Sequence, residues 1–220
     1  MQSNSQQDDN TRFPLLKRIQ QSTNSHCGPA VLEMLTNYVG KDIPQQRYVD
    51  ILNISEKLKT HGMTVAEMGE SLKLLDPTLR LWYKQNSRIE DIYRLTTDYN
   101  YPVGIEWQGI FYQYSDGDDG HYSVVTGLDL TSLKIFIADP YEVFAGKDRT
   151  IKLGRFIPRW WETNEILDPE TGRKNIVEDI RMMFIVTHAH EDFPLKLGMT
   201  AHPVEDIHPV ELPAETVQSV

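Results

Sequence analysis

The chain has 220 residues, 40% hydrophobic and 25% charged, with a formal net charge of −10. That length and composition fit a globular chain of one domain with tails. The acidic balance argues against nucleic acid or an anionic membrane surface as the main partner, because phosphate binding needs a concentrated basic face.

A single cysteine, Cys27, rules out an intramolecular disulfide, so nothing points to an oxidising compartment. Residues 1–10 are polar and lack the apolar core of a signal peptide, and no window is long enough to span a bilayer. A soluble, cytoplasmic protein is the expectation.

Residues 1–11 carry Gln, Ser, Asn and Asp with nothing to bury and are expected to be a disordered tail. After an extended lead-in at Phe13-Pro14-Leu15-Leu16, the apolar positions Val31, Leu32, Leu35, Tyr38 and Val39 have helical spacing. That run begins at Cys27 and stops at Gly40. A second short helix is read over 43–54 with Tyr48, Ile51 and Leu52 on one face. A third opens at Gly62-Met63-Thr64, capped by Thr64, with Val65, Met68, Leu72 and Leu75 as its stripe. A strand over 79–83 is followed by a helix over 87–98, with Ser87 as cap and Glu90 at its third position.

From there the pattern turns to strands, over 101–107, 121–127, 133–138 and 180–187. The pair Trp160-Trp161 is a candidate anchor against the sheet, and Trp82 and Trp107 read as core or rim. Residues 191–220 have no sustained period and are expected to be a C-terminal tail or a lightly docked peptide, leaving one domain over 12–190. Helices first and an antiparallel-looking sheet after them make this an α+β arrangement.

Cys27 sits where a helix begins, beside unpaired backbone N–H groups and a partial positive charge that favour thiolate. A lone cysteine is more commonly a small buried hydrophobe, so a nucleophile needs a base and an orienting group elsewhere. His121, in Gly120-His121-Tyr122, opens a strand. Asp139 ends another, in Ala138-Asp139-Pro140. If those strands are hairpin neighbours, Asp139 returns to the end where His121 starts. Asp139 then fixes the tautomer of His121, and His121 takes the proton of Cys27. Gln21 is close enough in sequence to fold back and offer its amide N–H, with the backbone N–H of Cys27, to an oxyanion.

Other polar clusters carry less. Asp116, Asp118 and Asp119 lack the bidentate glutamate of a calcium loop and read as a solvated acidic turn, which would favour basic or neutral substrates if it bordered the cleft. His188 and His190 have no third metal ligand in view. His26 reads as a surface residue beside the site. No cofactor or metal is expected.

Gln21, the run His26-Cys27-Gly28-Pro29-Ala30, Met34 and Tyr38-Val39-Gly40 together resemble the N-terminal signature of papain-like cysteine peptidases that process bacteriocin leaders at a double glycine. Gly120-His121-Tyr122 and Asp139-Pro140 are similar to that family's second and third motifs, and Gly62-Met63-Thr64 also fits. The resemblance covers roughly residues 13–165 and includes both ends of the site. It implies a papain-like α+β fold, with Cys27 as nucleophile, His121 as general base and acid, Asp139 as orienter and Gln21 as oxyanion donor.

His26 departs from the resemblance, since it stands where the family usually has Asp. With no membrane span and no Walker loop, a free-standing member without a transporter is expected. The expected activity is hydrolysis of a peptide or protein substrate through a thioester. The alternatives are acyl transfer by the same thiol–imidazole site, or a peptide-binding module that has lost the chemistry.

Overall fold

The computed structural model describes residues 12–111, 120–167, 171 and 173–202. The tail at 1–11 and the acidic turn at 116–119 therefore lie outside the described residues. So do 203–220.

Helix α1, Cys27–Tyr38, buries Val31, Leu32, Met34 and Leu35. Each such side chain contributes about 1.5–3 kcal/mol by leaving water. Gly40, at φ 84°, takes the left-handed conformation that ends the helix and lets the N–H of Lys41 reach the Thr36 carbonyl at 2.9 Å. Helix α2, Gln45–Leu52, buries Tyr48 and Val49 while Ile51 is exposed, a turn of its apolar face away from the expected stripe. The reason is a hydrogen bond between Tyr48 and Thr36 Oγ1 at 2.9 Å, which fixes the side of α2 that meets α1.

Helix α3, Val65–Leu75, starts as expected. Thr64 accepts from the N–H of Glu67 at 3.2 Å, and the Glu67 carboxylate accepts from the N–H of Thr64 at 2.9 Å. Helix α4, Ile89–Thr97, begins later than expected: Arg88 is the cap position, and Asp91 rather than Glu90 accepts its N–H at 2.8 Å. Ser87 instead donates to the Lys84 carbonyl at 3.0 Å.

Among the described residues, nine strands form two sheets: β1 Leu79–Lys84, β2 Val103–Gln108, β3 Gly120–Asp129, β4 Lys134–Ala138, β5 Asp148–Lys152, β6 Trp161–Leu167, β7 Lys174–Ile180, β8 Met183–His188 and β9 Thr200–His202. The main antiparallel sheet has the order β5-β4-β3-β2-β8-β1-β9, and β6-β7 is a separate hairpin. The strand expected over 180–187 is divided between them: Ile180 ends β7 and Met183 starts β8.

Alternate residues of the central strands go to opposite faces. Leu81, Val124, Phe184 and Val186 pack with α1, α2 and α3. Trp82, Ile105, Val125, Met183 and Ile185 pack on the far face with α4 and with α5, Leu153–Phe156. Both faces are covered, which is why β2 is buried along its whole length. Trp160 anchors the far face, with its indole N–H on the Met182 carbonyl at 2.8 Å.

Within 191–202, a short helix α6, Phe193–Lys196, precedes β9, which pairs with β1 over Leu81–Tyr83 as the edge of the main sheet. This part of the expected tail completes the sheet. Strands β3 and β4 are hairpin neighbours, with Val124 opposite Ala138, so the start of β3 and the end of β4 lie together.

Candidate active site

The hairpin register brings His121 and Asp139 into contact: His121 Nε2 lies 2.8 Å from Asp139 Oδ1, and both side chains are buried. Cys27, at the first position of α1, lines one cavity with the same imidazole, near enough for its side chain to raise the pKa of the ring. With Nε2 on Asp139, Nδ1 is the nitrogen left to face the sulfur. At Gly28 a Cβ would lie 2.7 Å from Met68 Cε, so a side chain there would displace that methyl of α3.

Asp139 is held from three directions. Besides His121, its Oδ1 accepts from the N–H of Tyr141 at 3.0 Å, and its Oδ2 pairs with Arg149 Nη1 at 2.7 Å. Arg149 is itself fixed by the Ile110 carbonyl at 2.9 Å and lies 3.6 Å over the centre of the Phe144 ring. The edge-on ring of Phe111 stands 4.8 Å from the imidazole.

The charges follow from these contacts. Burial works against a charged His121, but Asp139, by charge and hydrogen bond, and the Cys27 side chain outweigh it and push the imidazole up to about 9. Burial likewise opposes ionised Asp139, yet His121, the Tyr141 N–H and Arg149 hold its carboxyl below the usual carboxylate range.

Gln21 reaches the same corner. Its backbone N–H donates to the Pro140 carbonyl at 2.9 Å, one residue beyond Asp139. Its side-chain amide donates to the Thr23 carbonyl at 2.8 Å, while its carbonyl oxygen is buried without a hydrogen-bond partner. The amide carries a second N–H. All four residues singled out from the sequence thus gather where α1 meets the β3–β4 hairpin. A cavity of about 300 Å³ opens beside Cys27 and His121.

A family profile described as Peptidase_C39 like family matches residues 13–166, most of the chain. The chain belongs to the Peptidase_C39 like family. Among solved structures it is similar to a C39-like peptidase from Bacillus anthracis, with a TM-score of 0.54 and 15% identity over 80% of this chain and 96% of that one. It is also similar to the peptidase domain of Streptococcus ComA, a bi-functional ABC transporter involved in a quorum-sensing pathway. There the TM-score is 0.49 and the identity 20%, over 77% and 96% of the two chains. A search of curated proteins returns no match. The likeness to the Bacillus anthracis structure agrees with the α+β, papain-like peptidase fold expected from the sequence. Among the described residues no helix is long and apolar enough to cross a membrane.

For a C39-like chain, His26 is the departure beside Cys27, and it is buried rather than on the surface. Its Nδ1 lies 2.5 Å from Thr23 Oγ1. Burial pulls its pKa below the ordinary 6.5, so at neutral pH it adds no charge next to the thiol.

Several residues escaped the sequence reading. Arg149 lies in an unremarkable polar strand, and only the β4–β5 pairing brings it to Asp139. Glu106 did leave a signal. It is the one carboxylate in an apolar strand, between Ile105 and Trp107, and it is buried in the cavity wall.

Proposed function

We propose that this C39-like protein is a cysteine peptidase that hydrolyses peptide bonds through Cys27, His121 and Asp139. The observation that carries the reading is one imidazole bonded to a buried carboxylate, with Cys27 at a helix start beside it on the wall of the same cavity.

In this scheme His121 takes the Cys27 proton, and the sulfur attacks the substrate carbonyl carbon. The C–S bond forms as the carbonyl π electrons move to oxygen. The backbone N–H of Cys27 and the second amide N–H of Gln21 receive that oxyanion, and its collapse breaks the C–N bond. The imidazolium of His121 delivers its proton to the leaving amine. Water, deprotonated by the same ring, then attacks the thioester, and the thiol leaves with the proton restored. Asp139 stays ionised throughout, holding the His121 tautomer and the imidazolium charge. Arg149 and the Tyr141 N–H keep that carboxylate ionised and aimed.

A peptide-binding module that had lost the chemistry would have no need to keep a buried His121–Asp139 pair beside Cys27. The test is cleavage of a mixed peptide pool followed by mass spectrometry. The wild-type chain is expected to generate new peptide termini, and Cys27→Ala and His121→Ala to generate none. Equal cleavage by Cys27→Ala would overturn the reading.

A further inference from the structure

The wall of the cavity beside Cys27 holds a buried carboxylate that the reaction does not use. Glu106 is 1% exposed, and its Oε1 accepts from the Tyr122 hydroxyl and from Asn164 Nδ2, the latter at 3.1 Å. Its Oε2 is buried with no hydrogen-bond partner. Two further carboxylates stand close by. Glu162, on the same cavity, accepts from Gln108 Nε2 at 2.9 Å. Asp179, on an adjoining cavity that shares Asn164, accepts from Asn164 Nδ2 at 2.8 Å.

A buried carboxylate that serves only structure has its oxygens met by donors, commonly from Arg or Lys. Glu106 has a phenol and an amide on one oxygen and nothing on the other. Resting on the peptidase reading above, we propose that Glu106 is a specificity-determining residue, and that its Oε2 receives the lysine or arginine side chain of a substrate residue bound beside Cys27.

The surroundings fit that ligand. A volume of about 300 Å³ lies at the small end of ligand pockets and suits one extended side chain rather than a cofactor. Burial pushes Glu106 up to about 8. The Tyr122 and Asn164 hydrogen bonds oppose the rise, and Asp179 and Glu162 add to it. An arriving cation reverses that balance by favouring the ionised carboxylate. Burial also holds the Tyr122 phenol well above its ordinary value, so its hydroxyl stays a donor to Glu106. At Gly120 a Cβ would fall 2.1 Å from Glu162 Oε2, so a side chain there would displace that carboxylate. The chain's net charge of −10 favours encounter with a basic peptide.

The test is selection of random hexapeptides displayed on phage against immobilised full-length chain carrying Cys27→Ala, which prevents cleavage. Lysine or arginine is expected to enrich about tenfold at one position, as for a charge-assisted hydrogen bond, and that enrichment is expected to vanish when Glu106→Gln is added. Acetylating the selected lysine, or exchanging a selected arginine for citrulline, is expected to abolish binding of the synthetic peptide, a readout that does not depend on the fold of any Glu106 variant. A selected pool without a basic position, a basic position that persists in Glu106→Gln, or binding that survives neutralisation would each overturn the proposal. Slow alkylation of wild-type Cys27 would sink the peptidase reading instead, and would leave the selection result intact.

Discussion

Arg149 and His121 hold opposite oxygens of one buried carboxylate: Asp139 Oδ2 is 2.7 Å from Arg149 Nη1, and Oδ1 is 2.8 Å from His121 Nε2. The imidazole is therefore oriented by a group that is itself clamped. Asp139→Asn keeps the shape but loses the charge and invites the wrong His121 tautomer. Its kcat is expected to fall by about 10³–10⁴. Arg149→Met leaves Asp139 with one cation fewer. It is expected to cost about 3 kcal/mol in thermal or denaturant unfolding, with a smaller loss of kcat than Asp139→Asn.

Gln21→Ala separates oxyanion binding from thiol activation. The expected result is a fall in kcat of about 10²–10³, because one donor to the developing charge is lost. The rate of iodoacetamide alkylation of Cys27 is expected to stay within about twofold of wild type, since no oxyanion forms in that reaction. A matching fall in alkylation would show instead that Gln21 holds Cys27 in place.

The pH dependence of stability follows from three groups. His121 has a folded value of about 9, above the ordinary 6.5. The stability it adds is complete below pH 6.5 and is lost as pH rises through 9. Glu106, raised from 4.5 to about 8, stabilises relative to the unfolded chain below pH 4.5 and loses that contribution by pH 8. Asp139, with its value lowered, contributes above 3.8 and loses its contribution as pH falls further. Unfolding free energy is therefore expected to decline between about pH 5 and 9, by a few kcal/mol. Glu106→Gln is expected to flatten that decline and to be more stable than wild type at pH 8 in a urea titration. A Glu106→Gln protein with an unchanged slope would contradict the buried-carboxylate account.

Water and amines can compete for the thioester. With added glycinamide, hydrolysis products are expected to predominate over amide adducts in the mass spectrum. A dominant adduct would assign the site to acyl transfer.

Much of this site was legible because its parts obey local rules. Cys27 opens an amphipathic run that ends at Gly40, His121 and Asp139 mark the ends of two strands one hairpin apart, and Thr64 caps α3. What local rules could not reach was pairing between distant segments. Arg149 meets Asp139 only because β5 lies beside β4, and Glu106 meets Asn164 only because β6 crosses near β2. Strand β9 has too few residues for a period, so its pairing with β1 left no mark in the sequence. His26 was misplaced for a related reason. A histidine looks polar in sequence, but Thr23 partners its ring and permits burial.

The central claim is that His121, held by Asp139, makes Cys27 a nucleophile. The most direct measurement is the rate at which a peptide vinyl sulfone labels Cys27, followed by intact-mass spectrometry at neutral pH. One adduct per chain is expected, located on Cys27, forming at least tenfold faster in the wild-type chain than in His121→Ala. Equal rates in the two proteins, or an adduct elsewhere on the chain, would contradict it.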